Sequence, residues 1–123
     1  MIENYLGYME ICMQLYINQN GNKKTLECLQ KYEIMLNDEY EKLSEEEKEI
    51  LKELISSKIK NAKMEKSTIM LAQSLMLKDS QLKSIFPGHI KAQYSDKLKK
   101  NQQEIHYLES INRIINNPRG MTR

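Results

Sequence analysis

Apolar residues recur at helical spacing along nearly the whole chain. From Ile2 to Asn18 the positions Ile2, Leu6, Met9, Met13 and Tyr16 follow a helical period, and Tyr5, Tyr8, Cys12 and Leu15 widen the stripe. A helix apolar over so much of its surface is expected in a core. Asn20-Gly21 marks a turn, because both residue types tolerate positive φ. A second helix, with Thr25 as its expected cap, runs to Leu43 and carries Leu29, Tyr32, Leu36, Tyr40 and Leu43 on one face. The short connection predicts an N-terminal helical hairpin.

The next stretch, Ser44 to Phe86, opens on a capping box. Ser44 and Glu47 are spaced to satisfy each other's backbone N–H, and Glu45, Glu46 and Glu47 place negative charge at the positive end of the helix dipole. Leu51, Leu54, Ile55, Ile59 and Ala62 form its apolar stripe, and Pro87-Gly88 closes it. One uninterrupted helix over this stretch would be about 60 Å long. That length predicts a break near Lys66-Ser67-Thr68 in a compact domain. After Gly88 a long helix is expected from Ile90 to Asn116, where Asn117-Pro118 ends it. Tyr94, Leu98, Ile105, Leu108 and Ile115 occupy near-heptad places on this helix, with Asn101 and Asn112 on the same seam, so this set is the candidate self-association surface.

The predicted architecture is therefore all-α: a compact bundle of four to six helices, with a helical hairpin first and a long helix last. Residues 1–117 are expected to form one helical domain and residues 118–123 a mobile basic tail. At 123 residues the chain is long enough for one core without metal or disulfide.

Charge adds an asymmetry that the apolar pattern hides. Residues 1–55 carry six Lys/Arg and twelve Asp/Glu, a net of −6, whereas residues 56–123 carry thirteen and five, a net of +8. The basic half suits an acidic partner or nucleic acid, and equally an attraction between the two halves within the fold or across a dimer. Cys12 and Cys28 have neither zinc spacing nor a redox motif, and both are expected as buried thiols. Residues 1–17 lack a basic flank and are interrupted by Glu3 and Glu10, so they are not read as a signal peptide. No run approaches the roughly 20 apolar residues of a membrane span. A cytoplasmic protein is expected, in the host cytoplasm if a phage encodes it.

Residues Thr68 to Pro87 resemble a DNA-binding helix-turn-helix. Ala72 stands at the motif's small position, and Leu71, Leu75, Leu77, Leu82 and Ile85 stand at its apolar ones. Met76 occupies the place where the motif usually has its turn glycine. The resemblance implies a second helix, capped by Asp79 or Ser80, that enters the major groove. Its candidate DNA-binding residues are Lys78, Ser80, Gln81, Lys83, Ser84 and Lys91.

Catalytic chemistry finds no anchor in this sequence. His89 and His106 lie far apart without a ligand cluster, and no glycine-rich phosphate loop is present. No catalytic, cofactor-binding or metal-binding residue is assigned. The expected function is that of a small non-catalytic regulator or inhibitor whose partner is another protein, and the richness in Ile, Lys, Asn and Met fits a phage or mobile-element origin. The alternative is a helix-turn-helix regulator acting through residues 68–86, dimeric through its last helix.

Overall fold

The first helix, α1, spans Ile2–Asn18, and its stripe turns Tyr5, Met9, Cys12 and Met13 into the interior. It ends where the backbone turns left-handed at Asn20 (φ 37°) and Gly21 (φ 78°), the two residues whose side chains oppose that geometry least. α2 spans Lys23–Glu41 and is capped by Asn22 rather than Thr25. The Asn22 side chain accepts from the N–H groups of Lys24 (3.0 Å) and Thr25 (3.3 Å), so two otherwise orphaned donors are satisfied. Tyr8 meets Tyr32 and Tyr5 meets Tyr40, with ring centroids 6.2 and 6.0 Å apart. Early residues of α1 thus face late residues of α2, and the two helices run antiparallel.

The computed structural model describes residues 2–78 and 87–116, apart from the side chains of 77 and 87–91. Among the described residues there are four helices and no strand. α3 spans Glu45–Lys78, and the capping box that opens it is formed. The Ser44 N–H donates to Glu47 Oε1 at 3.0 Å, and the Glu47 N–H donates to Ser44 Oγ at 3.2 Å.

The break expected near Ser67 is absent. α3 continues for 34 residues, about 51 Å. The hydroxyls of Ser67 and Thr68 donate to the carbonyls four residues back, Lys63 O and Met64 O, a local arrangement that keeps both residues inside a helix. A second long helix, α4 (Pro87–Asn116), lies alongside. It starts three residues earlier than expected, at a proline, the residue type that loses nothing by lacking an N–H in a first turn.

Three ties fix α3 and α4 as antiparallel. Asn101 Nδ2 donates to Ala62 O (3.1 Å), Lys66 Nζ to Gln102 Oε1 (2.8 Å) and the Tyr94 hydroxyl to Met76 Sδ (2.8 Å). α1 packs against α4 through Tyr16 and Tyr107, whose rings lie 5.1 Å apart. The Tyr40 hydroxyl donates to Ile115 O at the end of α4, and Lys58 pairs with Glu10 across α3 and α1 (3.7 Å). The result is a compact helical bundle.

α1 and α2 are too short to cover α3 and α4. At 17 and 19 residues they extend about 26 and 29 Å, against about 51 Å for α3. The core gathers accordingly at one end. Met9, Cys12, Leu51, Ile55, Leu108 and Ile115 are its most completely buried side chains. Beyond Ala62 on α3 and before Asn101 on α4, the described part of the pair has half-buried contacts but no buried side chain.

Candidate protein-binding groove

An open depression follows the seam between α3 and α4. Its first part, about 560 Å³, has Ser56, Ile59 and Lys63 on one wall and His106, Glu109 and Arg113 on the other. A second depression of about 400 Å³ shares Ser56, Ile59 and Lys63 and continues toward Lys60, Met64 and Ser67. The antiparallel register of the two helices is what places these residues together. Periodicity brings Ser56, Ile59 and Lys63 to one side of α3, and α4 supplies His106, Glu109 and Arg113 at i, i+3 and i+7, again one side of a helix.

Lys60, Lys63 and Arg113 make the groove basic, with Glu109 as its carboxylate. Lys63 Nζ stands 3.6 Å from Glu109 Oε2, and both side chains are about half exposed. Such a pair is weakly held and readily exchanged for a better partner. The half-buried Ile59 and the exposed Met64 give the floor an apolar component. An open groove with an apolar floor and cations at its edge suits an acidic segment of another protein. It offers no enclosed cavity for a small substrate.

A second polar cluster lies inside the bundle. Tyr107 on α4 is buried and its hydroxyl donates to Glu33 Oε2 on α2 (3.4 Å). Burial pushes the Glu33 carboxyl above the usual carboxylate range, against the opposing pull of the Tyr107 bond. Burial likewise raises the Cys12 thiol beside it. Tyr107 is raised far above the ordinary phenol value by burial and by the neighbouring Cys12 and Glu33. All three shifts favour the neutral forms. A thiol held neutral is a poor nucleophile, and the cluster reads as a polar tie between α1, α2 and α4.

The other cysteine departs from expectation. Cys12 is fully buried, but Cys28 is exposed. It adjoins Leu29 in sequence, yet one residue is a 100° step around α2, enough to carry Cys28 off the face that packs on α1.

The sequence-derived candidates disperse. Lys78 is exposed at the last position of α3. Ser80, Gln81, Lys83 and Ser84 lie outside the described residues, as does the Lys91 side chain. The proposed first helix of the motif is not a separate element but the last turns of α3, which stays helical through Met76. In the self-association seam, Ile105, Leu108 and Ile115 are buried within the chain, and Tyr94 and Leu98 are half-buried. The side chains nominated for a second copy are thus largely spent on the chain's own core. His106, Glu109, Arg113 and Tyr107 carried no motif. Only the pairing of α3 with α4, and of α4 with α2, gives them a shared environment.

Among the described residues, no group of three or more His, Cys, Asp or Glu is arranged to hold a metal ion. No helix there is long and apolar enough to cross a membrane. No family model, curated protein or solved structure matches this chain.

Proposed function

We propose that this protein is a small non-catalytic regulator or inhibitor that works by binding another protein, and that the α3–α4 groove receives an acidic segment of it. The observation that carries this reading is the basic, open groove along Ile59, Lys60, Lys63 and Met64, faced by His106 and Arg113. Methionine suits such a surface, because its unbranched side chain adapts to the shape it meets. Electrostatic attraction speeds encounter and selects acidic partners over basic ones. A site of action in the cytoplasm accompanies this reading.

Binding to DNA through residues 68–86 is the second reading. The lysines of α3 and α4 favour it: Lys58, Lys60, Lys63, Lys66 and Lys78 on one helix, Lys97, Lys99 and Lys100 on the other. The continuous helix through Met76 weighs against it, since the motif needs its turn there.

A capture experiment from lysate, with and without nuclease, separates the two. Under the protein-binding reading, a partner band survives nuclease and disappears with Lys63→Glu plus Arg113→Glu. Loss of every band on nuclease treatment, with a duplex recovered at physiological salt, transfers the assignment to DNA binding.

A further inference from the structure

α1 stops at Asn18 while α3 and α4 run on beside it, and another depression, of about 420 Å³, opens where the three helices part. It shares no lining residue with the α3–α4 groove. Asn101, only 4% exposed, is part of its lining. The bond to Ala62 O (3.1 Å) fixes the orientation of the amide, because only Nδ2 can donate there. Oδ1 is left buried with no hydrogen-bond partner among the described residues. A buried acceptor without a donor is rare enough to need a reason, and a bound ligand is one. Two carboxylates share the depression, Glu65 on α3 and Glu104 on α4. Neither forms an ion pair among the described residues. Burial raises the Glu104 carboxyl, and the charges of Glu65 and Glu10 raise it further against the pull of Lys58. Lys58 is itself paired with Glu10 at 3.7 Å. The two lysines of the lining are also engaged. Lys100 Nζ lies 3.4 Å from Asp96 Oδ2, and Lys97 Nζ stands over the Tyr94 ring at 5.4 Å. The unmet demand in this depression is therefore for positive charge that carries N–H donors.

We propose that this depression binds a primary alkylammonium group, held by Asn101 Oδ1, Glu65 and Glu104, with its carbon chain against Ile17 and Ile69. An ammonium carries one positive charge and three N–H donors, and the depression offers it three acceptors, two of them anionic. The half-buried Ile17 and Ile69 of the lining have nothing to offer a bare metal ion, but they cover methylene groups. Asn101 Oδ1 is shut off from water, so a donor reaches it when the exposed Lys97 and Lys100 side chains shift outward. A hydrogen bond formed there is then sheltered from competing water. The same chemistry is present in a small aliphatic amine and in a lysine side chain of another protein. The site does not depend on the α3–α4 groove, and each can fail alone.

Titration of the nitrogen-15-labelled full chain with butylammonium and with butyltrimethylammonium chloride tests the site, read by NMR at the backbone amides of 97–104 and the Asn101 side-chain amide. The two cations share charge and chain, but only the first has N–H donors. Butylammonium should give saturable shifts and bind about tenfold more tightly, the worth of a hydrogen bond to a charged donor. Asn101→Leu should remove most of that preference, and Glu104→Gln should weaken both cations. No saturable shift with butylammonium, equal binding of the two cations, or a preference that survives Asn101→Leu would overturn the proposal. Glu104→Gln alters a half-buried side chain and keeps its size, so it tests the site even if Asn101→Leu does not fold; unchanged binding in that variant would also overturn it. The source is decided by 1,4-diaminobutane against Nα-acetyl-lysine amide. Tighter binding of the diamine assigns the site to a free amine, and tighter binding of the lysine amide assigns it to a lysine side chain. Lys63→Glu plus Arg113→Glu, which tests the groove, should leave these titrations unchanged.

Discussion

The two ends of this molecule are built on different principles. At one end four helices meet, and every buried side chain among the described residues lies there, within 5–62 and 101–115. At the other end the described parts of α3 and α4 continue as a pair, held by half-buried contacts such as Tyr94 to Met76, with Lys97 above the Tyr94 ring at 5.4 Å. Both ends have the same helical periodicity in sequence. What differs is the number of neighbours. A helix with one neighbour buries one narrow stripe, and any second apolar stripe, such as Met64–Leu71–Leu75, is left facing outward. An apolar pattern therefore reports that a surface wants covering, not that the chain itself covers it.

The largest expected effect follows from this contrast. Leu51 is fully buried at the four-helix end, and Leu51→Ala should cost about 3 kcal/mol through lost burial and the cavity left behind. Leu71→Ala on the paired arm should change monomer stability by less than about 0.5 kcal/mol. Denaturant melts of the two variants decide it, and comparable losses would dissolve the distinction between the ends. Native-state hydrogen exchange should sharpen it further. Amides of 70–78 and 92–97 should open well before those of α1 and the second half of α4, because less burial protects them.

The start of α3 provides the next step down. Ser44→Ala removes the acceptor for the Glu47 N–H and should cost about 1 kcal/mol. An unchanged thermal midpoint would mean that the cap is idle and tertiary packing alone holds this end of α3.

Asn101 stands where the two ends join, and it is the buried polar residue at that boundary. Its Nδ2 bonds Ala62 O, but its Oδ1 is buried with no hydrogen-bond partner among the described residues. A buried acceptor without a donor carries its desolvation cost uncompensated. Asn101→Leu is therefore expected to be neutral or to stabilise by about 1 kcal/mol, read as a rise in the denaturation midpoint. A clear loss would show that the bond to Ala62 fixes the register of α3 on α4.

How much of this was legible in the sequence depends on the range of the interaction. The capping box at Ser44, the turn at Asn20-Gly21 and the packed face of α2 are set within a few residues, and periodicity or spacing reveals them. The cap of α2 lies three residues before Thr25, because Asn22 and Thr25 are both competent and only the path of the turn decides between them. The continuity of α3 is not legible locally, because a helix of 34 residues fits a bundle only when a second long helix, α4, runs beside it. The groove depends on the α3–α4 register. Tyr107 depends on Glu33, 74 residues earlier, and one-dimensional spacing cannot express such pairings. The exposed stripe of α3 was partly visible, as apolar residues in the right period. Its coverage was not, because burial depends on neighbours.

The smallest expected effect probes the four-helix end through pH. Burial raises the carboxyls of both Glu33 and Glu104, the latter helped by the charges of Glu65 and Glu10 and opposed by Lys58. A carboxyl whose value is raised on folding binds its proton more tightly in the native state than in the unfolded one. Stability then falls as pH rises from the ordinary glutamate value of 4.5 toward the raised value, and it is constant beyond. This is the reverse of the usual salt-bridged carboxylate, which loses stability as pH falls. Glu33→Gln keeps an oxygen to accept the Tyr107 hydroxyl and removes the ionisation. It should flatten the decline above pH 4.5 and leave the protein at neutral pH as stable as the wild type or slightly more so, by less than the Ser44 effect. The check is the thermal midpoint as a function of pH for both proteins. A wild-type midpoint that rises across that window, with Glu33→Gln lowering it throughout, would mean that the Glu33 carboxylate is stabilised in place by partners beyond Tyr107.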